Sequence, residues 1–184
     1  SEQSVWLDNI GASVKSMAAL VDSLLFLARM DSSQHPIQKK PFRLDQAVEK
    51  AVDPYKILAD AKSVTLTASL ASDAEYFGDE QRIQQVLGIL LDNALRYTPG
   101  GGKIEVMLRN LHRAAHITVS DTGPGIPSEH LPKIFDRFYQ VDPARNQGGA
   151  GLGLSIAKCI VETHGGTIQA FSQPEKGANF SITL

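Results

Sequence analysis

The stretch KIEVMLRNLHRAAHITVSD, residues 103–121, decides the fold class of this chain. Apolar residues recur at every second position at 104, 106 and 108 and again at 115, 117 and 119, which predicts two strands that each bury one face. The short segment 110–113 connects them in the manner of a hairpin. The sequence therefore predicts a sheet with mainly antiparallel pairing at the centre of the molecule.

Helices and strands are intermixed on both sides of this hairpin. Helices are predicted over about 44–61, 79–97 and 152–163, and further strands over about 64–70, 167–171 and 179–184. Gly165 and Gly166 end the last helix. This order predicts the α+β class, with a two-layer sandwich in which one mixed, mainly antiparallel sheet carries helices on one face.

The first 33 residues predict one long bundle helix that precedes the sandwich. Its apolar residues are spaced alternately three and four apart, as in helices of a bundle or coiled coil. This seam consists of Leu7, Ile10, Val14, Met17, Val21, Leu24 and Ala28. Such a helix either pairs with another helix or docks on the following domain. Prolines at 36 and 41 break helical structure, so 34–41 is predicted to be a linker and 42–184 one domain.

Composition excludes several classes of protein. The 184 residues include 18 Lys and Arg against 20 Asp and Glu, so the charge predicts neither a nucleic-acid partner nor a membrane surface. The single cysteine, Cys159, cannot form an internal disulfide or a zinc cluster by itself. No apolar run approaches the roughly 20 residues of a membrane helix, and no signal peptide is expected.

The segment DTGPGIP begins at Asp121 and is the first of three segments whose residues suggest a binding or catalytic role. Because Ile117, Val119 and Asp121 alternate along one strand face, the strand carries the carboxylate to its buried side. A buried carboxylate needs a donor, which the amino group of adenine offers and the carbonyl oxygen of guanine does not. The alternative is a turn in which the carboxylate caps its own loop and the glycines supply positive φ.

The segment GGAGLGLSI, residues 148–156, places four glycines immediately before a predicted apolar helix. Glycines let a ligand approach the backbone closely, and the unpaired N–H groups of a helix start attract anions such as phosphate. The spacing matches neither a P-loop nor a dinucleotide fingerprint. A flexible hinge is the alternative.

The third segment is the end of the helix over 79–97, where Asn93, Arg96 and Tyr97 lie together at the edge of the apolar stripe. The amide oxygen suits Mg²⁺, the guanidinium suits phosphates, and the ring can pack on a base. Taken singly, each of the three is an ordinary surface residue.

Together and in this order, these segments resemble the catalytic ATP-binding domain of bacterial sensor histidine kinases, the phosphate donors of two-component systems. The resemblance covers about residues 42–184. The segments similar to the N, G1, F and G2 boxes of the family are, in that order, 85–98, 121–127, 134–138 and 149–154. The resemblance implies the Bergerat-type ATPase fold, and it implies that 1–33 is the second helix of the dimerisation and histidine phosphotransfer hairpin.

The resemblance also implies ATP and Mg²⁺ as ligands. Asn93 would bind Mg²⁺, Arg96 and Tyr97 would contact the nucleotide, and Asp121 would read the adenine amine. The residues implied to line the base pocket, the mobile lid over 135–151 and the phosphate cradle are Gly123, Gly125, Ile126, Phe138, Gly149, Gly151, Leu152, Gly153 and Leu154. The residues implied to act on the phosphates in catalysis are Asn93, Arg96, Arg137 and Arg145.

The function implied is transfer of the γ-phosphoryl group of ATP to a histidine. The implied partners are the phosphotransfer hairpin of the same protein, a response regulator receiver domain and a second copy in a homodimer, with no nucleic acid. The implied location is cytoplasmic, as the catalytic region of a membrane-anchored kinase.

The sequence departs from the family pattern at two points. Ile89 stands four residues before Asn93, where the family usually has a second asparagine. None of the five histidines lies in a helix and is followed by an acid, as the phosphoacceptor motif requires; they are His35, His112, His116, His130 and His164. The phosphoacceptor is therefore expected on a hairpin helix absent from this chain.

Two other functions stay open. The first, motivated by Ile89, is an ATP-binding regulatory module without kinase activity. The second is a hydrolase of the same nucleotide fold, as in gyrase or the heat-shock chaperone ATPases. Those enzymes use a glutamate to activate water, at the approximate place of Ile89.

Overall fold

The computed structural model describes residues 37–111, 114–141 and 150–184, together with part of the segment before them. In that segment the described residues are helical, in agreement with the predicted helix; they are Trp6, Gly11, Val14, Met17, Ala18, Leu20, Val21, Asp22, Leu24, Leu25, Phe26 and Ala28. No helix within the described residues combines the length and apolar content needed to cross a membrane.

From residue 37 onward, helices and strands alternate in the order expected. The strands are β1 (Lys40–Arg43), β2 (Thr65–Leu70), β3 (Glu75–Gly78), β4 (Lys103–Leu111), β5 (Ala114–Asp121), β6 (Thr167–Ser172) and β7 (Ala178–Thr183). The helices are α1 (Leu44–Ala61), α2 (Glu80–Tyr97) and α3 (Gly153–Thr163), with a short 3₁₀ helix at Leu131–Lys133. Each predicted helix and strand of the domain is confirmed to within two residues at either end.

The main sheet has five strands in the order β2-β4-β5-β7-β6. Only the β2–β4 pair is parallel among these strands, and the β4–β5 hairpin sets Ile104 opposite Asp121. One face of the sheet is buried, since Val106 and Val119 are at most 1% exposed while their sequence neighbours reach solvent. The helices cover this face, which confirms the predicted α+β sandwich.

The small β1–β3 ribbon was not expected from the sequence. Each of its strands has four residues, too few to show an alternating pattern, and β1 contains Pro41, which is tolerated at a sheet edge. Strand β1 begins at Lys40, so its first two residues belong to the segment 34–41 that was predicted to be a linker.

Two described residues of the N-terminal helical segment contact the domain. Leu20 and Phe26 pack against the core, and the guanidinium carbon of Arg82 lies 4.7 Å from the centre of the Phe26 ring. The described seam residues are instead exposed: Val14 by 59%, Met17 by 67%, Val21 by 53% and Leu24 by 39%. Leu20 and Phe26 thus dock the segment on the domain, while the described residues of its seam remain uncovered.

Candidate nucleotide-binding site

Asp121 ends β5 on the buried face of the sheet, two residues after Val119, as the alternation predicts. Its Oδ1 accepts hydrogen bonds from the backbone N–H of Gly123 at 2.8 Å and of Ala178 at 3.4 Å. Desolvation by burial raises the pKa of Asp121, and these two N–H groups oppose the rise. The carboxylate therefore caps its own loop with one oxygen, which leaves the other oxygen for an external donor.

The G1 loop, residues 121–127, lies against the end of α2. A side chain at Gly123 would place its Cβ 3.0 Å from the carbonyl oxygen of Tyr97 and 2.9 Å from Oδ1 of Asp121. Gly125 has a φ of +73°, and a Cβ there would collide with the carbonyl oxygen of Gln173. Both glycines are thus required by the close approach of neighbouring backbone.

The turn between β6 and β7, residues 173–177, supports this loop, a contact that no local sequence pattern predicts. The N–H of Glu175 donates to the carbonyl oxygen of Pro124 at 2.7 Å. Gly177 has a φ of +77° and lies so close to the carbonyl of Asp121 that a Cβ would collide with it. Gly177 directly precedes β7 and marks a turn in the sequence, but this signal does not identify the segment that the turn contacts.

The end of α2 brings Asn93, Arg96 and Tyr97 to the same edge of the domain. Asn93 is half-buried, whereas Arg96 and Tyr97 are exposed. The ammonium group of Lys62 donates to the carbonyl oxygens of Leu95 at 2.6 Å and of Arg96 at 3.0 Å, which satisfies the free carbonyls of the helix end. Lys62 thereby fixes the helix end that carries the candidate ligands, a role that its sequence context did not indicate.

The start of α3 lies over the middle of α2. A Cβ at Gly153 would be 3.2 Å from Cγ2 of Ile89, and Asn93 follows one helical turn later. The unpaired N–H groups of the helix start are thus close to the predicted metal ligand. Leu152 is 3% exposed and Leu154 packs against the core, so both side chains are structural and only their backbone is available to a ligand.

Phe138 and Gly151, which lie near the two ends of the predicted lid over 135–151, contact each other. The N–H of Phe138 donates to the carbonyl oxygen of Gly151 at 2.9 Å, and both residues have positive φ. Arg137 lines a cleft of about 450 Å³ on the outer side of α3 together with Ser155. That cleft does not include Asn93 or Asp121. The predicted site residues Arg145 and Gly149 lie outside the described residues.

The donor set at this edge suits a metal ion that arrives with a nucleotide. Within the residues that the structure describes, no cluster of three or more His, Cys, Asp or Glu side chains could hold a metal. Asn93 offers one amide oxygen, and Ile89 beside it offers none. Mg²⁺ commonly takes only one or two protein ligands and completes its shell with phosphate oxygens and waters. A single asparagine therefore fits nucleotide-bound Mg²⁺.

Comparison with known proteins agrees with this geometry. Residues 78–184 match the family described as histidine kinase-, DNA gyrase B- and HSP90-like ATPase. The chain is 39% identical over 170 residues to the sensor histidine kinase CusS of Escherichia coli (strain K12), covering 91% of this chain and 35% of that protein. It is 38% identical over 172 residues to the sensor protein SrrB of Staphylococcus aureus (strain NCTC 8325), covering 92% of this chain and 30% of SrrB.

A solved structure shares the architecture as well. The histidine kinase AdeS of Acinetobacter baumannii superposes with a TM-score of 0.82 at 27% identity, over 98% of this chain and 83% of that one. The chain spans about a third of the length of the curated relatives it matches.

Proposed function

Because the chain belongs to the family of histidine kinase-, DNA gyrase B- and HSP90-like ATPases, and its relatives there are sensor histidine kinases, we propose that it is the catalytic part of a two-component kinase. It binds Mg²⁺-ATP and transfers the γ-phosphoryl group to a histidine on a hairpin helix outside this sequence. The observation that carries the proposal is the meeting of the G1 loop with the end of α2, beside the start of α3.

Adenine is recognised at the G1 loop. Oδ1 of Asp121 is held by the N–H groups of Gly123 and Ala178, so the second oxygen accepts from the exocyclic amine of the base. Guanine would present a carbonyl oxygen to the same carboxylate and is excluded. Ile126, a half-buried residue of this loop, and the exposed ring of Tyr97 provide apolar surface for the base.

The phosphates lie between α2 and α3. The N–H groups at Gly151 and Gly153 bind phosphate oxygens, while Asn93 holds Mg²⁺, which neutralises charge on the phosphates when bound. Arg96, Arg137 and Arg145 supply positive charge to the phosphates in this proposal. The chain mainly positions the γ-phosphoryl group for in-line attack by a neutral imidazole nitrogen. Phosphoryl transfer of this kind requires little covalent chemistry from the protein itself.

The N-terminal helical segment is the second helix of the phosphotransfer hairpin. Its exposed seam needs a partner, and the other hairpin helix together with a second copy would cover it in a homodimer. In the full-length protein we place this region in the cytoplasm behind a membrane anchor, with a response regulator receiver domain as the next acceptor. These assignments rest on the relationship to CusS and SrrB.

The seam should drive self-association of this chain. Sedimentation at tens of micromolar should show the parent as a dimer or larger species, because Met17 and Leu24 otherwise face water. The double variant Met17→Lys, Leu24→Lys should sediment as a monomer. Leu58→Lys on α1, where Leu58 is 51% exposed, is the matched control and should behave as the parent. A parent that sediments as a monomer would contradict this role of the seam.

The identity of residue 89 favours a second candidate function. The side chain of Ile89 packs at the start of α3, where the family usually has an asparagine, so Mg²⁺ loses a supporting amide. An ATP-binding regulatory module without transfer would tolerate this loss. The same observation disfavours a hydrolase, since no carboxylate stands at Ile89 to activate water.

The proposed kinase activity is tested by adding a hairpin that contains the phosphoacceptor helix. With γ-labelled ATP and Mg²⁺, we expect this chain alone to remain unlabelled and an added hairpin that contains the phosphoacceptor motif to become labelled. Self-labelling would contradict the assignment of the five histidines as structural or surface residues. A hairpin that stays unlabelled although the chain binds ATP would instead support the regulatory module.

A further inference from the structure

The hydroxyl group of Ser172 joins two segments at the adenine end of the site. Ser172 ends β6 and is half-buried. Its Oγ accepts a hydrogen bond from the N–H of Ile126 at 2.8 Å and donates one to the carbonyl oxygen of Gly177 at 2.6 Å. Ile126 lies in the G1 loop and Gly177 in the β6–β7 turn, so one side chain connects the loop to the turn that supports it.

The turn holds the G1 loop at both of its ends. At the beginning, the N–H of Ala178 reaches Oδ1 of Asp121, and Gly177 packs against the Asp121 carbonyl. At the far end, the contact passes through Ser172 to Ile126. The remaining hydrogen bond between loop and turn, from Glu175 to Pro124, is made by backbone atoms alone. Ser172 is therefore the place where a substitution can loosen the loop without altering Asp121.

We propose that Ser172 is a positioning residue for adenine recognition, an inference that rests on the proposed function. If Ser172 lost its hydroxyl group, the N–H of Ile126 and the carbonyl oxygen of Gly177 would each lose this hydrogen bond. A polar group that is withdrawn from water without a hydrogen-bond partner lowers the stability of the folded conformation. The loop relieves this cost by moving away from the turn. The Asp121 carboxylate then loses its fixed position, and the adenine end of the nucleotide binds less tightly.

Because Ser172 acts on the base end, its effect must be independent of the γ-phosphate and of Mg²⁺. In calorimetric titrations of the full chain, Ser172→Ala should weaken ADP binding by about five- to tenfold, and ATP binding by the same factor. Ser172→Thr keeps the hydroxyl group and should restore the affinity.

The matched control is Ser120→Ala. The hydroxyl of Ser120 accepts from Nδ2 of Asn179 at 2.6 Å on the opposite face of the sheet, so a comparable hydrogen bond is lost away from the pocket. ADP affinity should stay at the parent value. If Ser172→Ala does not fold, Ser172→Cys provides a side chain of similar size with a weak donor and should show the same loss.

Hydrogen exchange gives a readout that needs no nucleotide. The amide of Ile126 should exchange faster in Ser172→Ala than in the parent, since its recorded acceptor is gone. Unchanged exchange or unchanged ADP affinity would overturn the inference, as would an equal loss in Ser120→Ala or a loss confined to ATP. A parent chain that binds no nucleotide would instead overturn the proposed function, and with it the adenine role of Ser172.

Discussion

Replacing Asn93 with Ala should reduce phosphoryl transfer to an added hairpin by about a hundredfold or more, because bound Mg²⁺ contributes several kcal/mol of charge stabilisation. Asn93 lies one helical turn after Ile89, which packs at the start of α3, and the Ile89 side chain has no atom that could replace its amide oxygen as a ligand. The adenine contacts that we propose for Asp121 do not involve the metal. Binding of ADP without Mg²⁺ should therefore match that of the parent.

The matched control for this variant is Asn110→Ala. Asn110 pairs with Ala115 at the end of the hairpin opposite Asp121, about 20 Å away at the usual rise of a strand. It should transfer at the parent rate. If Asn93→Ala transfers as well as the parent, another group holds Mg²⁺ and the metal assignment is wrong.

Asp121→Asn should weaken ADP binding by about 2–3 kcal/mol, the value of a buried hydrogen bond to a charged group. An asparagine oxygen can still accept from Gly123 and Ala178, so the loop keeps its shape. The amide nitrogen then presents a donor to the adenine amine. Calorimetric titration measures the loss, and Asp60→Asn on the exposed side of α1 should show none. Unchanged affinity in Asp121→Asn would remove this residue from the site.

The same substitution should leave the free domain at least as stable as the parent at neutral pH. Burial raises the pKa of Asp121, so the folded state binds a proton more tightly than the unfolded chain does. The stability that this group contributes is present below its ordinary pKa and is lost as pH rises through the raised value. Ionised Asp121 thus costs stability at pH 7, and asparagine avoids that cost. Denaturant unfolding with and without ADP separates the two effects.

The sequence was sufficient where a local pattern determines the structure. The alternation over β5 predicted that Asp121 ends a buried strand face, and the spacing on α2 predicted the common edge of Asn93 and Arg96. The close approach of Gly123 to Tyr97 likewise explains a glycine that was assigned to the base pocket from the motif. These features depend on neighbours only a few residues apart or on one strongly patterned segment.

Long-range contacts between ordinary residues could not be predicted in this way. Lys62 caps the end of α2 from 33 positions away, and Ser172 holds Ile126 from 46 positions away. A lysine after a helix and a serine at a strand end have no distinctive local pattern. The β1–β3 ribbon was missed for a related reason, since each strand is stabilised by a partner distant in sequence.

The most direct measurement of the central claim is the chemical stability of the label on the added hairpin. After incubation with this chain and γ-labelled Mg²⁺-ATP, we expect label that is lost in acid and retained in alkali, as for a phosphoryl group on an imidazole nitrogen. Replacement of the phosphoacceptor histidine of the hairpin should abolish it. Label that survives acid, or that persists without that histidine, would contradict the account of this chain as the catalytic part of a histidine kinase.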